Sequence, residues 1–410
     1  MTIDVRFLKE GELPRMRDVL ATAFGGGDPN SDWDETWQKA FEQDRLIVAT
    51  EGGEIVGVGG SFSFTMTVPG AELPTAGLTV VGVLPTHRRK GILRKLMAFH
   101  LEDARGHEEP LSILWASEEA IYQRFGYGLA SQHHRIELET GYSSFRNDPG
   151  PSGRLRLITE EESLKVLPDI YERVRRGTPG MLARHADWWK YHRLFDPKSG
   201  REGASHQYRL VWENDGEAEG YALYRVKEDW DETTGLPQGE ARVSEVITTT
   251  PTAHREVWRY LASLDLVKTT TAFSVAVDDP IKYMMLRPRR LRVRWSDALW
   301  LRVVDLKASL AGRAYAADGS ITFDLEDTFV PANNGRWTLT VSDGKGQVQA
   351  ATGDPDLAFD AGDLGGTYLG GTSFTELVRA GRVQERDPGA AARADSLFRS
   401  DKAPWNPEIF

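Results

Sequence analysis

No cysteine occurs among the 410 residues. That excludes disulfide bridges, thiolate zinc sites and a cysteine nucleophile, and it fits a reducing compartment. Long hydrophobic runs are lacking too, since no apolar stretch approaches the roughly 20 residues of a membrane span. The opening "MTIDVRFLKEGELPRM" has neither the basic end nor the apolar stretch of a secretion signal. The chain is therefore expected to be cytoplasmic, with no membrane partner. An excess of positive charge is also missing: the formal net charge is −11, which argues against non-specific binding to nucleic acid. A mildly acidic balance is ordinary for solubility, so the sign alone assigns no partner. What is present is the 40% hydrophobic content of a packed protein, in a length that predicts two or three domains.

The first segment reads as strand, helix and meander. Met16, Val19, Leu20 and Ala23 recur at helical spacing between Pro14 and the glycines Gly25 to Gly27. "RLIVAT", "EGGE" and "IVGVGGSFSFTMTV" read as a hairpin. "LTVVGVLP" is a strand that runs straight into the basic stretch "HRRKGILRKL", and the helix beyond it stops at Gly106. "LSILWAS" is a short buried strand, and a helix from near Glu118 leads into "YQRFGYG". A linker, "RNDPGPSGR", closes a first domain at 1–150. The middle domain, 151–297, opens with helices "EEESLKVLPDIYERVRR" and "LARHADWWKYHRLF". Within it, "VSEVITTTPTAHREVWRYLASL" echoes "LTVVGVLPTHRRKGILRKLMAF". Laying Pro251 on Pro85 sets Val257 at Gly91 and Glu256 at Lys90, a second copy that keeps the fold and loses the site; a chance match of two strand-to-helix turns is the alternative. From Ala298 the strands "LWLRVVDL", "SITFDLED" and "RWTLTVSDGKGQVQAA", a loop "DLGGTYLGG" and a helix "FTELVRAG" form a third, α+β domain at 298–410.

The basic stretch places five Arg and Lys residues around Gly91. A strand that ends in a tight turn and feeds a helix aims several backbone N–H groups, and the positive end of the helix dipole, at one spot, which suits phosphate. Glycine lets the backbone approach an anion closely. Neither the Gly-Lys-Ser/Thr ending of a P-loop nor the three spaced glycines of a dinucleotide fold is present. The basic face is too narrow for nucleic acid, because acidic residues resume at Glu102. For the charges alone, a solvated helix face is the alternative. His133 and His134 lack ligand-like partner spacing, so no metal site is expected.

"VLPTHRRKGIL" resembles the pyrophosphate-binding turn of the GNAT superfamily of N-acetyltransferases, Arg/Gln-x-x-Gly-x-Gly/Ala after a strand. Arg88 and Gly91 match, and Leu93 stands where that pattern has a small residue. "YQRFGY" resembles the Tyr-x-x-x-Gly-aromatic that closes the GNAT site. "LPTAGL", "PTHRRKGILR", "ASEEAIYQRFGYG", "YALYRV", "RVSE" and the terminal Phe are similar, along the whole chain, to the enhanced intracellular survival (Eis) family of aminoglycoside acetyltransferases. The resemblance implies an α/β (α+β) architecture of two fused GNAT folds, the second degenerate, and then a sterol-carrier-protein-like domain. It implies acetyl-CoA as cosubstrate without a metal, aminoglycoside or other polyamine acceptors, a role in antibiotic resistance, and a homohexamer.

Acetyl transfer to an amine needs a neutral amine, a polarised carbonyl and a proton for the departing thiolate. Gly82 points to a bulge or a close approach that frees backbone donors between Val81 and Val83. By resemblance the donor is held by Val81, Val83, Arg88, Arg89, Lys90, Gly91, Ile92 and Ser117, and Tyr122 is the general acid, protonated at neutral pH because a phenol titrates near 10. Tyr127 is the neighbouring rival, and a core aromatic before a glycine turn is the structural alternative for Tyr122. The apolar end "PWNPEIF" is expected to dock, and the resemblance makes the C-terminal carboxylate of Phe410 the general base. For the acceptor it gives Phe24, Asp28, Trp37 and Glu408, carboxylates holding amino groups by charge-assisted hydrogen bonds. Asp32, Asp34 and Glu35 read equally as a helix cap and first-turn charges. The competing functions are a protein or peptide lysine acetyltransferase and a non-catalytic CoA- or lipid-binding protein.

Overall fold

A computed structural model describes residues 3–26 and 39–410. The chain divides into two compact units, one of Met1–Ser131, Ala298–Pro404 and Glu408–Phe410, the other of Gln132–Asp297 and Trp405–Pro407.

The first unit is built on a seven-stranded sheet. Its strands are β1 (Ile3–Phe7), β2 (Leu46–Glu51), β3 (Glu54–Val68), β4 (Ala71–Val83), β5 (Leu111–Trp115), β6 (Gly128–Leu129) and, from much later in the chain, β14 (Leu299–Val303). They lie in the order β1-β2-β3-β4-β5-β14-β6. The first four form an antiparallel meander, whereas β4 and β5 are parallel and need a crossover helix. That helix is α2 (Ile92–Gly106). The earlier α1 (Leu13–Phe24) has proline in its first turn and ends on a left-handed Gly25. Strand alternation sorts the two helices onto opposite faces: α1 packs Met16 and Val19 on Leu46, Val48 and Val58, while α2 packs Ile92 and Leu96 on Ile47, Ala49 and Val56. A one-turn helix, α3 (Glu119–Tyr122), continues as a 3-10 turn, Gln123–Phe125, and stops at left-handed Gly126.

β14 was expected in the sheet of the third domain and instead lies between β5 and β6. All five of its residues are buried, which suits the interior of a large sheet better than that of a small one. The reverse holds for the strand Gln132–Glu139, which precedes the expected boundary at 150 yet pairs in the second unit. The ladders therefore change hands after Ser131 and again at Ala298. The remaining third-domain strands, β15 (Gly319–Glu326), β16 (Gly335–Ser342), β17 (Lys345–Ala350), β18 (Leu357–Asp360) and β19 (Gln384–Glu385), form a five-stranded sheet in the order β17-β16-β15-β18-β19. "DLGGTYLGG" lies largely in a helix, Ala361–Thr367, with a capping box between Asp360 and Asp363, where a loop was expected. Its glycines let it lie against the backbone of the first sheet: a β-carbon at Gly362 would be 3.2 Å from the carbonyl oxygen of Tyr127, and one at Gly366 3.3 Å from that of Leu129.

The second unit repeats the plan. β7 (Gln132–Glu139), β8 (Arg154–Leu157), β9 (Tyr208–Asn214), β10 (Glu217–Lys227), β11 (Gly239–Thr248), β12 (Val267–Ala276) and β13 (Arg294–Asp297) lie in the order β13-β7-β12-β11-β10-β9-β8. β11 and β12 are parallel and joined by the helix Pro251–Leu261. This helix starts three residues after β11 and is capped by Thr250, which accepts from the N–H of Ala253. Val257 and Glu256 are buried inside it, so aligning the prolines mismatches the two copies. The second copy lost its turn altogether. "LARHADWWKYHRLF" is also shorter than expected, one α-turn at Ala186–Trp188 and a π-turn at Trp189–Arg193, where Trp188 stacks on His192 and Trp189 packs edge-on against Tyr171. A buried ionic group completes this core: Glu245 accepts from Arg184 and Tyr221 and lies 3.3 Å from Arg193. Among the described residues no helix is long and apolar enough to cross a membrane, and no group of three or more His, Asp or Glu is placed to hold a metal ion.

Candidate active site

β4 pairs with β5 only from Thr75 to Gly77 but runs on along β3 to Val83. From Leu78 onward one edge of β4 is therefore open. Within this stretch the register with β3 slips between Val58 and Gly60, and Val80 takes φ +48°, a left-handed conformation that is costly for a β-branched residue. The bulge expected at Gly82 thus lies just before it, and it resets the alternation of side chains. Leu78 and Val81, three apart, share the α2 face with Met97 and Leu93. Val80 packs in the α1 cluster, and Gly82 lies under Leu20 and Ala23 of α1. Val83 packs beside Ile92.

The turn that follows, residues 84–91, holds Arg89 at φ +63° and Gly91 at φ +78°. Gly91 opens α2 with no side-chain cap and no acid in the first turn. The N–H of Lys95 bonds to the Gly91 carbonyl, which leaves the N–H groups of residues 92–94 without a helical acceptor. A β-carbon at Gly91 would meet no atom within 4 Å, so glycine serves the left-handed backbone and an open approach rather than internal packing. Arg88, Arg89 and Lys90 are exposed, and Arg88 donates to the carbonyl of Ala23 at 2.9 Å. These groups fit an anion such as a diphosphate. The Ile92 side chain is committed to the core, so only its backbone N–H can serve a donor. Leu93, at the position of a small residue in the superfamily pattern, turns into the cluster around Tyr122 and away from the turn. Ser117 is exposed just beyond the end of β5.

Tyr122 is buried among Leu78, Met97, Leu114, Phe125, Tyr127 and Trp300, and that burial pushes its phenol up to about 12. No hydrogen-bond partner for its hydroxyl is found among the described residues. Tyr127 differs sharply. Its hydroxyl bonds to Ser112 Oγ at 2.7 Å, Ser112 bonds to Nε2 of His100 at 2.7 Å, and Nδ1 of His100 bonds to Ser61 Oγ at 2.7 Å. That chain occupies Tyr127, and burial holds His100 neutral, with its pKa pushed down to about 3.

The last residue of the sequence reaches the other face of β4. The Phe410 ring packs edge-on against Phe64, with centroids 4.9 Å apart, and against Phe62 at 6.4 Å, while Phe41 stacks on Phe62. A β-carbon on Gly77 would be 3.2 Å from Phe410 Cε2. Phe410 therefore sits where β4 and β5 part, on the face that carries α1, and the Tyr122 cluster holds the opposite face. Phe24 is exposed at the end of α1, and Glu408 is buried beside exposed Ile409. Asp28 and Trp37, with Asp32, Asp34 and Glu35, lie outside the described residues. Trp405 docks in the second unit, its indole N–H donating to Ser274 Oγ at 3.0 Å. Sequence reasoning missed Phe62 and Phe64, which hold the Phe410 ring, although the alternation in "SFSFTMTV" marks one face.

Comparison with known proteins reproduces the plan. Residues 4–130 match the family model of an acetyltransferase (GNAT) domain, residues 180–303 match a second model of that description, and residues 306–407 match a sterol carrier protein domain. The fold is that of a tandem GNAT acetyltransferase with a sterol-carrier-like third domain. An uncharacterized N-acetyltransferase of Streptomyces avermitilis is 42% identical over the full length of both chains. The N-acetyltransferase Eis of Mycobacterium tuberculosis is 33% identical over 89% of each chain. The crystal structure of Eis1 from Mycobacterium abscessus superimposes over all of both chains with a TM-score of 0.85 at 32% identity. The chain belongs to the Eis family, and it is an acetyl-CoA-dependent N-acetyltransferase.

Proposed function

We propose that this enzyme acetylates amines of aminoglycosides or similar polyamines, with Tyr122 as general acid and the terminal carboxylate of Phe410 as general base. Acetyl-CoA supplies an acetyl group activated as a thioester. The Gly91 turn, with the backbone N–H groups of residues 92–94 and the side chains of Arg88, Arg89 and Lys90, holds the diphosphate. The open edge of β4 between Val81 and Val83 orients the donor and polarises its carbonyl. Tyr122, kept protonated by burial, gives its proton to the departing sulfur. The Phe410 carboxylate accepts the amine proton. The reading includes a cytoplasmic homohexamer acting without nucleic acid or membrane partners, with aminoglycoside resistance as its outcome in the cell.

The observation that carries the reading is the pairing of Phe410 on one face and Tyr122 on the other at the point where β4 and β5 separate. The test is acetyl-CoA-dependent thiol release with tobramycin, kanamycin, spermine and a lysine peptide, run on the native chain and on one extended past Phe410. Turnover of amino sugars that disappears in the extended chain, while acetyl-CoA still binds, is the expected result. Equal turnover by both chains removes the terminal base, and turnover of the peptide alone moves the acceptor to protein lysines.

A further inference from the structure

One loop of the sterol-carrier-like domain reaches both the helix that follows Gly91 and the turn that follows Tyr122. It runs from Asp327 to Asn333 between β15 and β16. Asp327 Oδ1 accepts from the N–H groups of Phe329, at 3.2 Å, and Val330, at 2.8 Å, which folds the loop back on itself. Asn333 holds the far end by donating to the carbonyls of Val303 and Val304 and accepting from the N–H of Leu306. Phe329 is thus presented from a turn tied down on both sides.

The Phe329 ring packs edge-on against Phe125 with centroids 5.1 Å apart, and the Arg94 guanidinium lies over the same ring at 4.9 Å. Phe125 belongs to the turn that continues α3 beyond Tyr122, and Arg94 to the first turn of α2, next to the open N–H groups. One side chain of the third domain therefore touches both the element bearing the acid and the element that holds the donor. The loop's first residue, Asp327, pairs at 2.5 Å with Arg302 of β14, whose side chain is 0% exposed. Among the described residues its Nε and Nη1 have no hydrogen-bond partner, and Nη1 would be 2.5 Å from a β-carbon on Gly126. A buried guanidinium with a single carboxylate is costly to desolvate, and such a cost persists where the group holds a particular arrangement. Here it lies under the C-terminal end of the Tyr122 turn, where the helix dipole favours positive charge.

We propose that the loop Asp327–Asn333 is a positioning element of the active site, in which Phe329 and the Arg302–Asp327 pair hold the Tyr122 turn and α2 in one fixed relation. This rests on the reading of Tyr122 as the acid, and it gives the third domain a part in donor binding. The test uses the full chain with Phe329→Ala and the milder Phe329→Leu, each also made in a Tyr122→Phe background. Readouts are kcat and KM for acetyl-CoA, and the acetyl-CoA Kd by calorimetry. Phe329→Ala is expected to lower kcat roughly tenfold and to weaken acetyl-CoA binding, with Phe329→Leu between it and the native chain. In the Tyr122→Phe background the kcat effect should vanish while the binding effect stays. A kcat loss of equal size in both backgrounds, or unchanged kcat and Kd in Phe329→Ala, overturns the proposal. If Tyr122→Phe alone keeps native kcat, the acid assignment fails by itself. The Kd then decides for the loop: native affinity in Phe329→Ala removes the proposal, and weakened affinity keeps its hold on α2. Should Phe329→Ala not fold, Phe329→Leu carries the same comparison.

Discussion

Replacing Gly77 by alanine places one methyl group at the point where β4 and β5 part. That carbon would clash with Cε2 of Phe64, its nearest neighbour, and would stand 2.6 Å from Cδ2 of the same ring and 3.2 Å from Cε2 of Phe410. Carbon atoms settle at about 3.5 to 4.0 Å, so the Phe64 ring must retreat by more than about 1 Å and the Phe410 ring by a few tenths. The rings cannot yield independently, because Phe410 leans on Phe64 and Phe62, and Phe62 on Phe41. Overpacking of this kind costs about 1 to 3 kcal/mol in stability. If the Phe410 carboxylate is the base, a shift of a few tenths of an ångström, rising toward 1 Å if its ring follows Phe64, lowers kcat by about tenfold to a hundredfold. The KM for acetyl-CoA should change little, because the donor turn begins beyond Val83 on the far side of the bulge. Steady-state thiol release with a saturating amine gives both parameters, and a thermal melt gives the packing cost. Any rate that survives in a chain extended past Phe410 should fall no further with the same substitution. A Gly77→Ala enzyme that melts early but keeps its kcat refutes the argument, for it shows that the rings can shift without disturbing the chemistry.

Gly91→Val forces a β-branched residue into a left-handed turn, so acetyl-CoA affinity by calorimetry should fall at least about tenfold, with a stability cost of about 1 to 3 kcal/mol from the strained backbone. Glu245→Gln leaves Arg184 and Arg193 without their carboxylate in the core of the second unit, so stability in urea should drop by about 3 to 5 kcal/mol. His100 titrates near 6.5 when unfolded and only at about 3 when folded, so below pH 6.5 the unfolded chain binds a proton that the native chain refuses. This contribution is complete above pH 6.5 and is lost as pH falls toward 3, with a slope approaching about 1.4 kcal/mol per pH unit; urea midpoints of His100→Gln should lack that slope.

Much of the site was legible because it is local. A helix that starts at proline and ends at glycine, a strand running into a glycine amid arginines, and a tyrosine four residues before a glycine each depend on residues within one or two turns. The spacing to Gly126 favoured Tyr122 over Tyr127. What it could not show is that Ser112 and His100, which lie on β5 and α2, draw the Tyr127 hydroxyl into a buried chain. The echo around Pro251 was real as a strand–helix–strand unit, yet its residue-by-residue match failed, since a cap at Thr250 starts the helix at once and no pattern of apolar residues reports a missing loop.

By itself the sequence determined most of the elements, the glycine-bearing turn after β4 and the absence of cysteine chemistry, because backbone dihedrals, caps and hydrophobic periodicity are properties of neighbouring residues. Only the tertiary structure decided that Leu299–Val303 joins the first sheet, that Gln132–Glu139 joins the second, that Phe410 rests on Gly77, and that Phe329 bridges Arg94 and Phe125. Those contacts join residues tens to hundreds of positions apart, and their energies come from burial and ladder pairing that no local stretch of chain can encode.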